Sequence, residues 1–175
     1  MKNISIKIST LHIDTNPVGF YMFSCDYFKA AKTTTTLDLG TRINYPAYFL
    51  YCRSLELILK SILLATKKYK LENLRKKVFF GHDIFKGLEL LKKEWSEYDI
   101  IGLTSDDEKT IIDLNKWYKI DEKRFEYYEF PTGTEIGLTK TPKGREYPDL
   151  PSLGHLDELV NKFLNSRIKK FISES

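Results

Sequence analysis

YPAYFLYCRSLELILKSILLATKKY, residues 45–69, is the longest apolar run in the chain, and its reading decides the fold. Tyr48, Phe49, Leu50, Leu55, Leu57, Ile58, Leu59, Ile62, Leu63 and Leu64 cover nearly every angle of the helix it would form. A helix that is apolar all round needs neighbours on most sides. Arg53, Glu56 and Lys60 interrupt it at spacings of three and four, which at roughly 100° per residue puts them in one narrow stripe. Charges are seldom buried unless paired. The stripe is either a self-neutralising surface seam or a polar site facing a groove.

At 175 residues and 42% hydrophobic content the chain has material for one filled core, so a single domain spanning 1–175 is expected. Its 28 basic and 24 acidic residues leave a charge of +4, which permits an anionic partner without demanding one. Cys25 and Cys52 both fall inside apolar helical patterns and are expected to be two buried free thiols in a reducing cytosol. The opening MKNISIKIST has no apolar core of signal-peptide length, and the charges of the central helix argue against a membrane span. A cytoplasmic protein is expected. His12, His82 and His155 are scattered and no close Cys/His set exists, so no metal site is predicted. Neither a P-loop nor a dinucleotide-binding glycine fingerprint is present, and no cofactor is called for.

Upstream of the central helix, Ile4, Ile6 and Ile8 alternate with polar residues as in a short strand or extended arm. Asn16-Pro17 then opens a first helix to about Lys32, with Val18, Tyr21, Met22, Cys25 and Phe28 as its inner face. Phe20, Phe23 and Tyr27 lie off that face, which suggests a second neighbour or an intermolecular contact. Thr33 to Thr36, four β-branched residues in a row, should end the helix.

Downstream, Lys67, Lys68, Lys70, Arg75, Lys76 and Lys77 face a single Glu72, which makes this the strongest basic patch. It is either a solvated helix end or a phosphate-binding loop. Asp83 can cap a third helix running to about Tyr98, with Ile84, Leu88, Leu91 and Trp95 inward and His82, Lys86, Glu89 and Lys93 outward. Ser105 with Glu108 reads as a capping box for a fourth helix, whose inner face includes Ile111, Leu114, Asn115 and Tyr118. From Lys119 to Pro151 prolines and glycines interrupt any long element. There Arg124 is interleaved with Phe125, Tyr127, Tyr128 and Phe130, a mixture that either stacks bases or anchors a loop. Leu156 to Ile172 repeat at helical spacing as one last long helix. The expected fold is all-α, an up-and-down bundle of about five helices with an irregular insertion before the last.

SLELILKSILL (54–64), a basic loop, and GHDIFKGLELL (81–91) together resemble the paired-helix pattern of the HEPN superfamily, the "higher eukaryotes and prokaryotes nucleotide-binding" domains. RFEYYEFP (124–131) is similar to an Arg-aromatic-Pro stretch in some members, so the likeness covers roughly residues 45–131. It implies a helical bundle, often a homodimer, that binds RNA or nucleotides. Such proteins are frequent in toxin–antitoxin or phage-defence systems, where a partner antitoxin or nucleotidyltransferase protein would accompany the chain. The active branch cleaves RNA without a metal, using an Arg followed by four to six residues and a His on a late helix. Arg75 and His82 meet that spacing but straddle the basic loop ahead of the third helix, and Arg145 and His155 are too far apart.

Three functions stay open. The chain is a nucleic-acid or nucleotide-binding module, or a metal-independent endoribonuclease with His82 and Arg75 as its pair, or a helical dimerisation protein. The candidate binding residues are Arg53, Glu56, Lys60, Lys67, Lys68, Lys76, Lys77, Lys86, Arg124, Tyr127 and Tyr128. Arg53, Glu56 and Lys60 are expected to face His82 and Asp83. Lys60 would be the direct contact, paired with Glu56, and Arg53 would be left free for an anion.

Overall fold

A computed structural model describes residues 16–37, 43–94, 101–119 and 150–175. The described residues are all-helical: α1 (Pro17–Thr35), α2 (Tyr45–Ala65), α3 (Leu71–Arg75), α4 (Ile84–Glu94), α5 (Ser105–Tyr118), α6 (Leu153–Phe163) and α7 (Ser166–Ser173). The expected N-terminal strand, the 120–149 region with Arg124, Tyr127 and Tyr128, and the end of the third helix beyond Glu94 lie outside them. No described helix is long and apolar enough to cross a membrane. Cys25 and Cys52 are both free thiols; Cys52 is buried as expected, whereas Cys25 is only partly buried, because the inner face of α1 is not the one the apolar spacing gives.

α2 is the hub. Asn44 caps it by accepting the Ala47 N–H, and Pro46 sits in its first turn. From Tyr51 to Ala65 all but Arg53 and Leu64 are buried. Its partners surround it: α1 along its length, α4 and α5 on one side, α6 and α7 on another. The α1–α2 pair is antiparallel. Ser61 donates to the Pro17 carbonyl, Ser24 and Ser54 donate to each other's carbonyls at 2.8 and 2.9 Å, and Asn44 donates to the Thr34 carbonyl, so register falls on α2 as it rises on α1.

That serine exchange corrects the expected inner face of α1. The buried residues are Phe20, Ser24, Phe28 and Ala31, whereas Val18 and Met22 are exposed. A serine counts as polar in a periodicity pattern, yet here both hydroxyls find carbonyls and the small side chains let the helices close. α1 also runs on to Thr35. Thr33 and Thr34 hydroxyls return bonds to the carbonyls of Lys29 and Ala30, so the β-branched run is accommodated at the helix end.

Three further expectations shift. The basic loop contains α3, which buries Leu74. The capping box of α5 is Thr104 with Asp107, one residue earlier than Ser105 with Glu108; Glu108 instead reaches Lys92 at 2.8 Å. The last helix is two, because Asn165 caps a new start by accepting the Ile168 N–H at 2.9 Å. Asp107, only 1% exposed, meanwhile accepts from Lys162 at 2.5 Å and ties α5 to α6.

Between α3 and α4 the buried Phe80 ring lies against Gly87, where a Cβ would meet the ring at 2.5 Å. Alanine gains about 1 kcal/mol over glycine in a helix, but overpacking a rigid site costs roughly 1–3 kcal/mol. Gly87→Ala is therefore expected to lower the melting temperature by several degrees. A melting temperature at or above that of the parent chain would show that the ring yields.

Candidate functional site

The charged stripe of α2 ends at one atom group, the Glu56 carboxylate, which is 0% exposed. Arg53 Nη1 donates to both its oxygens at 2.8 Å, one turn before it. Lys60, one turn after, donates to Oε1 at 2.6 Å. His82 Nδ1 lies 3.0 Å from Oε2, and the Tyr118 hydroxyl donates to the same oxygen at 2.5 Å. Helical spacing on α2 supplies two partners, the turn before α4 a third and the end of α5 the fourth.

Gly81 makes the turn possible. Its φ of +59° is a left-handed conformation that suits glycine, and a Cβ there would meet the Lys77 backbone at 3.0 Å. The turn points the Gly81 carbonyl at Lys60 Nζ, 2.7 Å away, while the Phe80 ring lies 5.0 Å below the same ammonium. Asp83 then caps α4 by accepting the Lys86 N–H, and the same oxygen accepts from Asn115 of α5.

Burial would push the Glu56 carboxyl up, but the His82 hydrogen bond and the charges of Lys60 and Arg53 hold it down at about 2. Burial acts against the Arg53 charge as well, and Glu56 more than offsets it, so the guanidinium is held more firmly protonated. For Lys60 burial prevails over Glu56 and its pKa falls. Burial and the neighbouring carboxylate together push the Tyr118 phenol up, which keeps it a donor.

The expected meeting of Arg53, Glu56 and Lys60 with His82 is present, with its inner assignments changed, whereas Asp83 is not among their partners and is occupied by the Lys86 N–H and Asn115. Arg53 Nη1, not Lys60, lies 3.4 Å from His82 Nδ1, because Lys60 turns to the Gly81 carbonyl. Arg53 is bonded to Glu56 rather than free, with its guanidinium 5.9 Å from the Tyr27 ring. Lys60 and Glu56 lie inside the bundle, while the His82 side chain is 41% and the Arg53 side chain 28% exposed. The carboxylate oxygens are filled by protein donors, so Glu56 has no free acceptor for a ligand.

Lys67, Lys68, Arg75, Lys76, Lys77 and Lys86 are exposed. No hydrogen bond or ion pair joins Arg75 to His82 among the described residues, although the Arg75 charge is felt at Lys60 and helps to lower its pKa. The segment carrying the cations folds back on the cluster, since Gly81 N–H donates to the Leu74 carbonyl and Lys86 Nζ reaches the Lys77 carbonyl. Tyr118 was legible only as a core residue of α5; a buried tyrosine hydroxyl that must find an acceptor was the available signal. No group of three or more His, Cys, Asp or Glu is placed to hold a metal among the described residues. No family model, curated protein or solved structure matches the chain.

A carboxyl depressed by its folded surroundings binds protons more readily when unfolded. Its contribution is present above the unfolded value near 4.3 and is lost as pH falls towards about 2. Stability measured by urea titration should therefore fall by on the order of 3 kcal/mol between pH 5 and 2 through this group. Glu56→Gln should be less stable at pH 7 and show a flatter acid limb. An equally steep limb in the variant would assign the acid sensitivity to other carboxylates.

Proposed function

We propose that the chain is a HEPN-like RNA- or nucleotide-binding module that reads phosphate at the edge formed by Arg53 and His82. The observation that carries this reading is their placement. One buried carboxylate orients both side chains at the surface, beside a folded segment bearing Arg75, Lys76 and Lys77. A guanidinium keeps further N–H donors when only Nη1 is committed, and donor arrays of this kind suit phosphate oxygens. Lys67, Lys68 and Lys86 extend the positive surface as steering charges. The likeness of residues 54–64 and 81–91 to the superfamily pattern adds the setting: a cytoplasmic component of a toxin–antitoxin or phage-defence pair, working with an antitoxin or nucleotidyltransferase protein. The exposed Val18, Met22 and Phe23 of α1 offer a surface for a second copy.

A second reading, metal-independent RNA cleavage, is favoured by the His82–Glu56 bond, because an imidazole anchored on one nitrogen is aimed with the other. His82 would take the proton of a ribose 2′-hydroxyl as that oxygen bonds to phosphorus. The 5′-oxygen would leave with its bonding pair and take a proton from water. Arg53 would stabilise the added charge on the phosphate.

Two measurements separate the readings. Binding to a mixed single-stranded RNA pool should weaken with salt, and Arg75→Ala, Lys76→Ala and Lys77→Ala together should flatten the log–log slope by about 0.7 per lost contact. An unchanged slope would leave those charges to solvent. In EDTA, cleavage of the same pool that disappears in His82→Ala selects the nuclease, and binding without cleavage selects the module. Neither binding nor cleavage would refute both and leave a helical dimerisation protein.

A further inference from the structure

Glu56 touches no solvent, so its part in any chemistry at this edge passes through His82. The donor and acceptor inventory decides how. His82 Nδ1 lies 3.0 Å from Glu56 Oε2 and 3.4 Å from Arg53 Nη1. A guanidinium only donates and an ionised carboxylate only accepts. If Nδ1 were bare, its lone pair would face the carboxylate at hydrogen-bond distance. If Nδ1 carries the proton, the contact to Glu56 is a charge-assisted hydrogen bond and the longer one to Arg53 is a mere neighbour. The carboxylate is itself ionised, surrounded by Arg53, Lys60 and the Tyr118 hydroxyl, so it cannot supply the proton instead.

We propose that Glu56 is a positioning residue that locks a proton on His82 Nδ1, so that Nε2 is the nitrogen that gains and loses a proton at the surface. This rests on the reading of His82 as the acid or base of the site and says which of its atoms acts. No described residue bonds Nε2, and the ring is partly exposed, so a ribose hydroxyl or a phosphate oxygen approaching the Arg53 edge meets that nitrogen. Tyr118 and Lys60 hold the carboxylate from behind. Tyr118 spans from the end of α5, and Lys60 also binds the Gly81 carbonyl next to His82 in sequence, so three segments share in fixing one ring. The arrangement also removes Lys60 and Glu56 from direct contact with ligand and leaves Arg53 and His82 as the side chains that touch it.

The test is the imidazole tautomer in the full chain. Long-range proton–nitrogen correlation of the 15N-labelled protein above the titration of its histidines, with His82→Ala to assign the signals, should show Nδ1 protonated and Nε2 bare. A neutral histidine side chain free in water favours the opposite tautomer, Nε2–H, so the signature is distinctive. Tyr118→Phe keeps the carboxylate and should keep the tautomer. Glu56→Gln replaces one acceptor oxygen by an amide donor and should shift the ring towards Nε2–H. Should that variant fail to fold, the parent and Tyr118→Phe spectra decide alone. A protonated Nε2 in the parent chain, or no change in a folded Glu56→Gln, overturns the role of Glu56. RNA cleavage by a parent chain with that wrong tautomer would overturn the positioning role while leaving the nuclease reading intact. Nδ1–H without any cleavage supports the positioning and sets aside the nuclease.

Discussion

A carboxylate with no exposure to water, set in the middle of the most buried helix, is the constraint on which the rest of the structure depends. The idealised cost of moving such a charge from water into a low-dielectric interior is of order 20 kcal/mol, and several kcal/mol survive relaxation. Only donors on several sides can offset it. Glu56 receives them from Arg53 and Lys60 within α2, from His82 in the turn before α4, and from Tyr118 at the end of α5. Two of these partners are in turn fixed by something else: Lys60 by the Gly81 carbonyl, Arg53 by its approach to the Tyr27 ring. The requirement of one buried charge thus sets the register of α2 against α4 and α5.

Apolar packing surrounds this network and would by itself accept many registers, since Leu55, Ile58, Leu59, Ile62 and Leu63 are broadly interchangeable as core fillers. Polar groups that must be satisfied are more selective. The same logic governs the α1–α2 contact, where the Ser24 and Ser54 hydroxyls each have one carbonyl to find. It governs α5 and α6 too, where Lys162 meets the nearly buried Asp107. Removing one partner from such a set leaves an uncompensated buried group, which is costlier than never having had the pair.

Much of this was legible in the sequence. Continuous apolar periodicity identified α2, Asn16-Pro17 the start of α1, and Asp83 the cap of α4, because each signal is local and its physics does not depend on a distant partner. The spacing of Arg53, Glu56 and Lys60 identified the stripe, and the short connection brought it to His82. What could not be read was who satisfies whom. Arg53 looked free because its bond to Glu56 competes with that of Lys60, and only the buried geometry shows that the carboxylate accepts both. Tyr118 was invisible as a site residue because it approaches from α5, far along the chain, where an inward aromatic reads as core. The face of α1 was misread for a related reason: Ser24 carries no apolar signal, and its burial follows from the hydroxyl of Ser54 on another helix. The break at Asn165 escaped because apolar spacing persists across it, while its cap is a single hydrogen bond.

Glu56 and its cations act as one unit. A double-mutant cycle on Glu56→Gln and Lys60→Met, with unfolding free energies from urea titration at pH 7, tests it most directly. Strong coupling is expected, with the double variant less destabilised than the two single variants together by at least about 2 kcal/mol. Additivity within about 0.5 kcal/mol would contradict it.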